Sequence, residues 1–152
     1  MERRPELTII AGPNGAGKSR LCPLYVSTRS FDGDKLMLNL RREHPEFKIS
    51  LCYFGLLSED ESVSRVKLRA QTGGHDVTDE VIRFNFTEGL AKAKQHLHLF
   101  ENLTFVDGNS DYGHIVALHI AKSRIHKIED NPPLWFKEQF EQSFNDLNPK
   151  DL

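Results

Sequence analysis

The chain has 152 residues, of which 38% are hydrophobic and 28% charged, and its formal net charge is -2; this size suits one domain over residues 1–152 and is too short for two comfortable ones. The lack of a basic excess speaks against nucleic acid as a partner, and no apolar run reaches the length of a signal core or a membrane span, which speaks against a membrane. The two cysteines, Cys22 and Cys52, lie in apolar stretches, so we expect a protein of the reducing cytoplasm.

The first predicted element is a buried strand at residues 7–11, because this run is short, apolar and β-branched. A loop that fits the pattern G-x-x-x-x-G-K-[ST] follows, and then a helix that we expect to begin at Gly17. This loop, named the phosphate loop below, consists of Gly12, Pro13, Asn14, Gly15, Ala16, Gly17, Lys18 and Ser19. The order of strand, loop and helix is the context that raises the match above chance and predicts a phosphate-binding site.

Each residue type in the phosphate loop has a chemical reason. Glycine adopts backbone conformations closed to residues with a Cβ, so that consecutive N–H groups turn towards an anion at the positive end of the helix. Lys18 would reach the β- and γ-phosphates of a nucleotide, and the Ser19 hydroxyl would ligate Mg²⁺ held between them. The alternative is a glycine-rich turn followed by a chance Lys-Ser pair.

Two carboxylates, Asp32 and Asp34, stand one residue apart after the first helix. On an extended segment this spacing puts both on the same face. Beside a phosphate site, the pair has two functional interpretations: a general base for a hydroxyl nucleophile, or a ligand of Mg²⁺ or its waters. The third interpretation is a polar turn, because Asp-Gly is a common turn dipeptide.

The second strand is predicted at residues 48–57, which are almost continuously apolar, as in a buried parallel strand. Ser58 with Glu61 three residues later forms a capping-box pattern that opens a helix. Arg65 and Arg69 stand four apart on one face of this helix. They form either a solvated surface or, beside a nucleotide site, a pair of cations that neutralise a transferring phosphoryl group.

A loop at residues 71–77 contains a Gly-Gly pair followed by His75. It suits either a closing lid or a plain helix end with a surface histidine. A further helix is expected from residue 78 onwards. Its apolar side is predicted to carry Val81, Ile82, Phe84 and Phe86.

The third strand, at residues 103–106, leads to Asp107, and its composition resembles a Walker B segment. Residues 115–125 are predicted as helix or strand, and the histidines along this region, including His119 and His126, are interpreted as incidental. Near the C-terminus, one helical stripe typical of core packing carries Phe136, Phe140, Phe144 and Leu147.

Together, the segments GPNGAGKS, FDGDKL, KISLCYFGL and SRVKLRAQTGGHDVTDEVI resemble the zeta-toxin-like group of P-loop kinases. The resemblance covers most of the chain up to about Gly113. It implies an α/β P-loop NTPase fold with three layers, α/β/α, and a mainly parallel sheet. It also implies phosphorylation of a small-molecule hydroxyl that depends on ATP or GTP and Mg²⁺. The toxins themselves use UDP-N-acetylglucosamine, and an antitoxin protein is the candidate protein partner.

The resemblance also implies roles for individual residues. Carried over by position, Lys18 and Ser19 bind phosphate and Mg²⁺, Asp34 activates the substrate hydroxyl, Arg69 and Arg65 meet the transferred phosphate, and His75 belongs to a lid-like segment.

One departure from the family lies between Phe47 and Lys48. Members of the family carry there a further helical stretch and a strand that ends in a Glu-x-Thr-like motif for substrate, and a strand with its crossover helix needs roughly 30 residues. Without this strand, the strand before the phosphate loop lacks its neighbour and its backbone groups lack partners. If a segment is omitted from the sequence here, we expect the Cα atoms of Phe47 and Lys48 to lie much farther apart than the ~3.8 Å between consecutive Cα atoms. A true deletion predicts a sheet that closes differently.

Three functions remain open from the sequence. The first is a small-molecule kinase in which Asp34 takes the hydroxyl proton. The second is an ATPase or nucleotide-gated switch, with Asp107 in the place of Walker B and no second substrate. The third is a nucleotide-binding module without turnover. Asp34 at the γ-phosphate position would favour the first function, and Asp107 beside Ser19 would favour the second.

Overall fold

A computed structural model of the chain describes residues 4–25, 43, 45–111 and 113–147. Asp32 and Asp34 lie outside the described residues. The strands are β1 (Glu6–Ala11), β2 (Lys48–Gly55), β3 (Asn102–Asp107), β4 (Ile115–Ile120) and β5 (Ile125–Ile128). The α-helices are α1 (Lys18–Tyr25), α2 (Glu59–Gln71), α3 (Asp79–His96), α4 (Leu134–Gln139) and α5 (Glu141–Asn145), with short 3₁₀ helices at Leu97–Leu99 and Ala121–Ser123.

The strands form one open five-stranded sheet in the order β1-β2-β3-β4-β5. The pairs β1–β2 and β2–β3 are parallel, whereas β3–β4 and β4–β5 are antiparallel. The chain is therefore an α/β protein with a mixed sheet, and the expectation of a mainly parallel sheet is not confirmed. The reason lies in the connections after β3, which are too short for the crossover of roughly a dozen residues that a parallel pair needs.

Strand β1 forms one edge of the described sheet. Its inner side pairs with β2, with Glu6 opposite Lys48 and Ala11 opposite Tyr53. Among the described residues, no strand pairs with its outer side. The first strand before the phosphate loop is thus confirmed, and it has a neighbour on one side.

The junction between Phe47 and Lys48 lies beside the residues that precede β1. Arg4 Nη2 donates a hydrogen bond to Phe47 O at 3.0 Å, and Lys48 N donates to Pro5 O at 2.8 Å. Two consecutive residues, Arg4 and Pro5, thus contact both sides of the junction. An omitted segment at this junction stays a prediction.

Helix α3 lies across the open edge of β1. Ile9 and Ile10 point to opposite faces of the sheet because side chains alternate along a strand. On one face, Ala93 of α3 belongs to the same core cluster as Ile9; on the other, Phe86 of α3 belongs to the cluster of Ile10. Leu90, between them in the sequence, packs against both clusters. Helix α3 therefore takes part of the space beside β1 that a further strand would occupy.

The main core covers the sheet with aromatic side chains from the C-terminal segment. Phe136, Phe140 and Phe144 are buried, and each ring lies against Phe105 of β3, with centroids 4.8 to 5.6 Å apart. The predicted core packing of this stripe is confirmed. The segment is not one helix, however, because the backbone leaves helical angles at Phe140, between α4 and α5. Leu21 of α1 packs in the cluster on the opposite face, so helices cover both faces of the sheet.

The start of α2 follows its local sequence. The Ser58 hydroxyl accepts a hydrogen bond from Glu61 N at 3.2 Å, as the capping-box pattern predicts. The Glu61 carboxylate accepts from Leu57 N at 3.1 Å, one residue before the cap. Two polar contacts therefore satisfy backbone donors at this end of the helix.

The apolar side of α3 is narrower than the sequence predicts. Ile82 and Phe86, four residues apart, are buried, whereas Val81 is 47% and Phe84 is 64% exposed. Only residues spaced by three or four positions share a helical face, and Val81 and Phe84 lie off the face that Ile82 and Phe86 define. None of the described helices, α3 included, is long and apolar enough to cross a membrane.

Candidate phosphate-binding site

The phosphate loop has the backbone conformation that its glycines predict. Gly12, Gly15 and Gly17 have φ angles of 138°, 78° and 82°, a region that side chains with a Cβ rarely adopt. Helix α1 begins directly after them, at Lys18. The N–H groups and the dipole at a helix N-terminus favour an anion. The loop therefore has the geometry and the electrostatics of an anion site.

Gly12 also permits a close approach between β1 and β2. A Cβ at this position would overlap the carbonyl oxygen of Phe54. At Gly15, a Cβ would lie 2.8 Å from the Cβ of Arg65. Both glycines are thus required by packing as well as by backbone conformation.

Asn14 is held from two helices. The Ser62 hydroxyl, on the buried side of α2, donates to Asn14 O at 2.5 Å. Asn85 Nδ2, on α3, donates to Asn14 Oδ1 at 3.4 Å. These contacts fix the middle of the phosphate loop against both helices.

Arg65 joins the phosphate loop to the end of β3. Its Nη1 donates to Gly108 O at 2.7 Å and to Gly15 O at 3.4 Å. Its Nη2 donates to Asn109 Oδ1 at 3.3 Å and lies 3.1 Å from the Glu61 carboxylate. The structure thus brings Arg65 to the loop, as the sequence predicts, but directs its guanidinium at carbonyl groups and a carboxylate of the protein itself.

Arg69 lies in the last turn of α2, and His75 lies in the loop that follows the helix. Arg69 is exposed, and its backbone carbonyl accepts hydrogen bonds from Thr72 N at 3.1 Å and Gly74 N at 2.9 Å. Gly73 has a φ of 97°, and the exposed His75 follows. In the part of the chain that the structure describes, Arg65 contacts the phosphate loop and Arg69 does not. The Gly-Gly segment has the geometry of a helix end, and a closing role for it stays a prediction.

Lys18 and Ser19 lie where the loop enters α1. Lys18 Nζ donates to Gly12 O at 2.6 Å and to Pro13 O at 3.1 Å, so its ammonium group lies over the loop. Ser19 is exposed in the first turn of the helix. Its hydroxyl and the oxygens of a phosphate chain are the hard oxygen ligands that Mg²⁺ prefers. The residues present therefore fit a magnesium nucleotide, for which Ser19 would be the protein ligand.

Asp107, at the end of β3, binds other parts of the protein. Its Oδ1 accepts from Trp135 Nε1 at 3.1 Å and from Asn109 N at 3.1 Å. The Trp135 ring lies over Gly55, where any Cβ would overlap it. Among the described contacts of Asp107, none reaches Ser19, which is the contact that the Walker B interpretation predicts. Nothing in the local sequence marks this aspartate as a partner of a tryptophan far along the chain.

A cleft of about 330 Å³ opens beside the phosphate loop. One wall is the edge of β1 with Gly12, Asn14 and Lys18, and the other wall is a face of α3 that includes Asn85 and Gly89. Sequence reasoning missed this cleft, because it exists only where α3 packs across β1. Its polar residues carry no motif that could have marked them.

The resemblance to the zeta-toxin-like group of P-loop kinases depends on the sequence motifs alone. No protein-family model matches the chain, and searches of curated proteins and of solved structures found no match. Fold and site define an α/β protein with an open mixed sheet and a glycine-rich loop between its first strand and first helix.

Proposed function

We propose that the protein is a P-loop kinase that binds ATP or GTP with Mg²⁺ in the phosphate loop and transfers the γ-phosphoryl group to a hydroxyl of a small molecule. The observation that carries the proposal is the loop itself, with three glycines at positive φ opening directly into α1. Parallel pairing of β1–β2–β3 and helices on both faces are compatible with this fold class.

Phosphoryl transfer needs positioning and charge stabilisation more than covalent chemistry from the protein. The backbone N–H groups of the loop hold the phosphates, and Lys18 adds a positive charge to them. Bound Mg²⁺, with Ser19 as ligand, supplies further neutralisation of the developing charge. Ser62 and Arg65 hold the loop in place beforehand, so that little reorganisation is needed at the moment of reaction.

Asp34 and Arg69 complete the proposed mechanism. Asp34 lies outside the described residues, and its role as the base that accepts the hydroxyl proton follows from the family resemblance. Arg69 is exposed at the end of α2, next to Gly73 and Gly74. A change in backbone angles at these glycines would bring His75 towards the nucleotide on closure, whereas Arg69 would keep its place on α2. The family resemblance makes sugar nucleotides such as UDP-N-acetylglucosamine one class of acceptor to test, and an antitoxin protein is a proposed partner.

Nucleotide binding is tested by calorimetric titration of the protein with MgATP and MgGTP. Lys18→Ala should weaken binding at least about tenfold, because a hydrogen-bonded charge contributes roughly 1.5–3 kcal/mol. Lys122→Ala removes the same charge from the exposed 3₁₀ helix after β4 and should bind like the wild type. If Lys18→Ala binds MgATP and MgGTP as tightly as the wild type, the proposed nucleotide binding in the phosphate loop is wrong.

Phosphoryl transfer is tested by nucleotide consumption with and without candidate acceptors. If the protein is a kinase, the rate of nucleotide consumption should depend on the acceptor, and Asp34→Asn should abolish this rate. Equal consumption with and without every acceptor would indicate an ATPase instead. Binding without any consumption would indicate a nucleotide-binding module.

A further inference from the structure

The cleft beside the phosphate loop continues the loop's own surface. Gly12, Asn14 and Lys18 belong to both, so a molecule in the cleft lies next to the place where phosphates would bind. The volume of about 330 Å³ is at the lower end of the range of roughly 300–1,000 Å³ that small-molecule sites occupy. A compound about as large as a single hexose suits this space better than a whole sugar nucleotide.

One face of α3 forms the outer wall of the cleft. Asn85, Glu88, Gly89 and Lys92 line it, and their spacing of three or four positions puts them on one side of the helix. The hydrogen bond from Asn85 to Asn14 attaches this wall to the phosphate loop. The two walls of the cleft are therefore held at a defined separation.

Gly89 is unusual at its position in this wall. It lies in the interior of an 18-residue helix, where glycine costs roughly 1 kcal/mol relative to alanine. A Cβ there would meet no atom within 4 Å, so packing does not require a glycine. The consequence of the missing side chain is open space on the cleft side of the helix.

The lining of the cleft indicates the chemistry of its occupant. Its inner part is apolar, with Ile9, Leu51 and Phe100. At the rim, Phe84 is 64% exposed and offers an aromatic face, and Lys92 on α3 offers a positive charge in addition to that of Lys18. Glu88 also lines the cleft, and its carboxylate can accept hydrogen bonds from the hydroxyl groups of a ligand.

We infer that this cleft is the acceptor site, and that the acceptor is a compact polyhydroxyl compound with an anionic group. A hydroxyl faces the phosphate loop near Lys18, and the anionic group faces Lys92. Transfer forms a bond from the acceptor oxygen to the γ-phosphorus, breaks the bond to the β-phosphate oxygen and leaves a nucleoside diphosphate, while the hydroxyl proton passes to a base. This assignment rests on the proposed phosphotransfer.

Binding of three probes tests the assignment, in the presence of Mg²⁺ and a non-hydrolysable ATP analogue. Glucose 6-phosphate has the inferred chemistry, glucose lacks the anion, and UDP-N-acetylglucosamine is larger. Glucose 6-phosphate should bind the wild type at least about tenfold more tightly than glucose, a ratio typical of one charge-assisted contact. It should also bind more tightly than UDP-N-acetylglucosamine.

Two variants locate the bound probe. Gly89→Leu fills the cleft and should weaken the binding of glucose 6-phosphate at least about tenfold, while the variant still binds the ATP analogue. Lys92→Met should remove the preference for glucose 6-phosphate over glucose, a loss of about tenfold in affinity. Lys94→Met, which removes an exposed charge of α3 outside the cleft, should bind all probes like the wild type. Thermal unfolding of each variant reports whether it is folded. If Gly89→Leu does not fold, Lys92→Met alone still decides the test.

Three outcomes would overturn the assignment. The first is equal binding of glucose 6-phosphate to the wild type and to both variants. The second is a wild type that binds the ATP analogue and none of the probes. The third is UDP-N-acetylglucosamine as the tightest probe, unaffected by Gly89→Leu. Failure of the proposed function is a separate result: the probe binds in a manner that depends on Gly89 and Lys92, but the ATP analogue does not bind.

Discussion

Gly12 meets two constraints at once, a φ of 138° and the nearby carbonyl of Phe54. Gly73 meets only the first, because its φ is 97° but a Cβ there would have no neighbour within 4 Å. These two glycines therefore separate the cost of backbone strain from the cost of steric overlap.

We predict that Gly12→Ala lowers the free energy of unfolding by about 3 kcal/mol or more, since strain and overpacking each cost roughly 1–3 kcal/mol. Gly73→Ala carries the strain alone and should cost about 1 kcal/mol. Urea denaturation of the two variants measures the difference. Equal losses would show that β1 and β2 are not as close at Gly12 as the structure has them.

The hydrogen bond between Asp107 and Trp135 gives a second prediction at this scale. Trp135→Phe removes the indole donor from a carboxylate that is 9% exposed, and should lower the free energy of unfolding by about 1–3 kcal/mol. Asp107→Asn keeps an acceptor oxygen for the indole, so it should lose less stability and retain magnesium-dependent nucleotide binding. If a stable Asp107→Asn variant loses that binding, the result would support the Walker B interpretation of Asp107.

At the scale of elements, α2 presents two arginines with different surroundings. Arg65 binds the carbonyls of Gly15 and Gly108, whereas Arg69 is exposed. Arg65→Met should therefore lower the free energy of unfolding by about 1–3 kcal/mol, through acceptors left without a donor. Arg69→Met should change it by less than about 0.5 kcal/mol.

Chemical denaturation and steady-state kinetics together check these two roles. If Arg69 meets the transferred phosphate, Arg69→Met slows turnover while stability is retained. A large loss of stability in Arg69→Met, or none in Arg65→Met, would contradict the assignment of the structural role to Arg65.

Helix α3 is the element whose position matters most for the proposed acceptor site. An unpaired strand edge exposes backbone donors and acceptors, and proteins commonly cover such edges with a helix or a loop. Here, α3 contributes side chains to the clusters on both faces of the sheet at β1. The same arrangement leaves the cleft between Gly89 and the phosphate loop.

At the scale of the whole molecule, the antiparallel end of the sheet contains a pair of histidines. The Nδ1 atoms of His119 on β4 and His126 on β5 lie 3.1 Å apart, and the His126 ring stacks on Phe144 at 4.3 Å between centroids. Burial, and then the nearby His126, lower the pKa of His119. His126 Nε2 is buried and has no hydrogen-bond partner among the described residues.

The lowered pKa of His119 makes stability depend on pH. Below the unfolded pKa of about 6.5, the unfolded chain binds more protons at this residue than the folded protein does, so the free energy of unfolding falls as the pH falls. We therefore predict lower stability at pH 5 than at pH 7.5. His119→Gln should reduce the difference, whereas His98→Gln, an exposed histidine, should leave it unchanged. Thermal unfolding across this pH range measures the effect, and an unchanged pH dependence in His119→Gln would contradict the prediction.

Local patterns predicted much of the fold. The apolar runs located β1, β2 and β3, the Ser58 cap located the start of α2, and the glycine spacing of the phosphate loop predicted its positive φ angles. They also gave the order of strand, loop and helix. These features depend on residues a few positions apart, whose steric and hydrogen-bonding preferences act whatever the rest of the chain does.

Other features were decided only by the tertiary structure. The contact of Arg65 with Gly108, the pairing of Asp107 with Trp135, the two histidines side by side and the cleft beneath α3 all join residues far apart in the sequence. The burial of Ile82 and the exposure of Phe84 belong to the same group. The type of an apolar residue does not specify which surface it packs against. These contacts therefore follow from how the strands and helices pack and not from any local pattern.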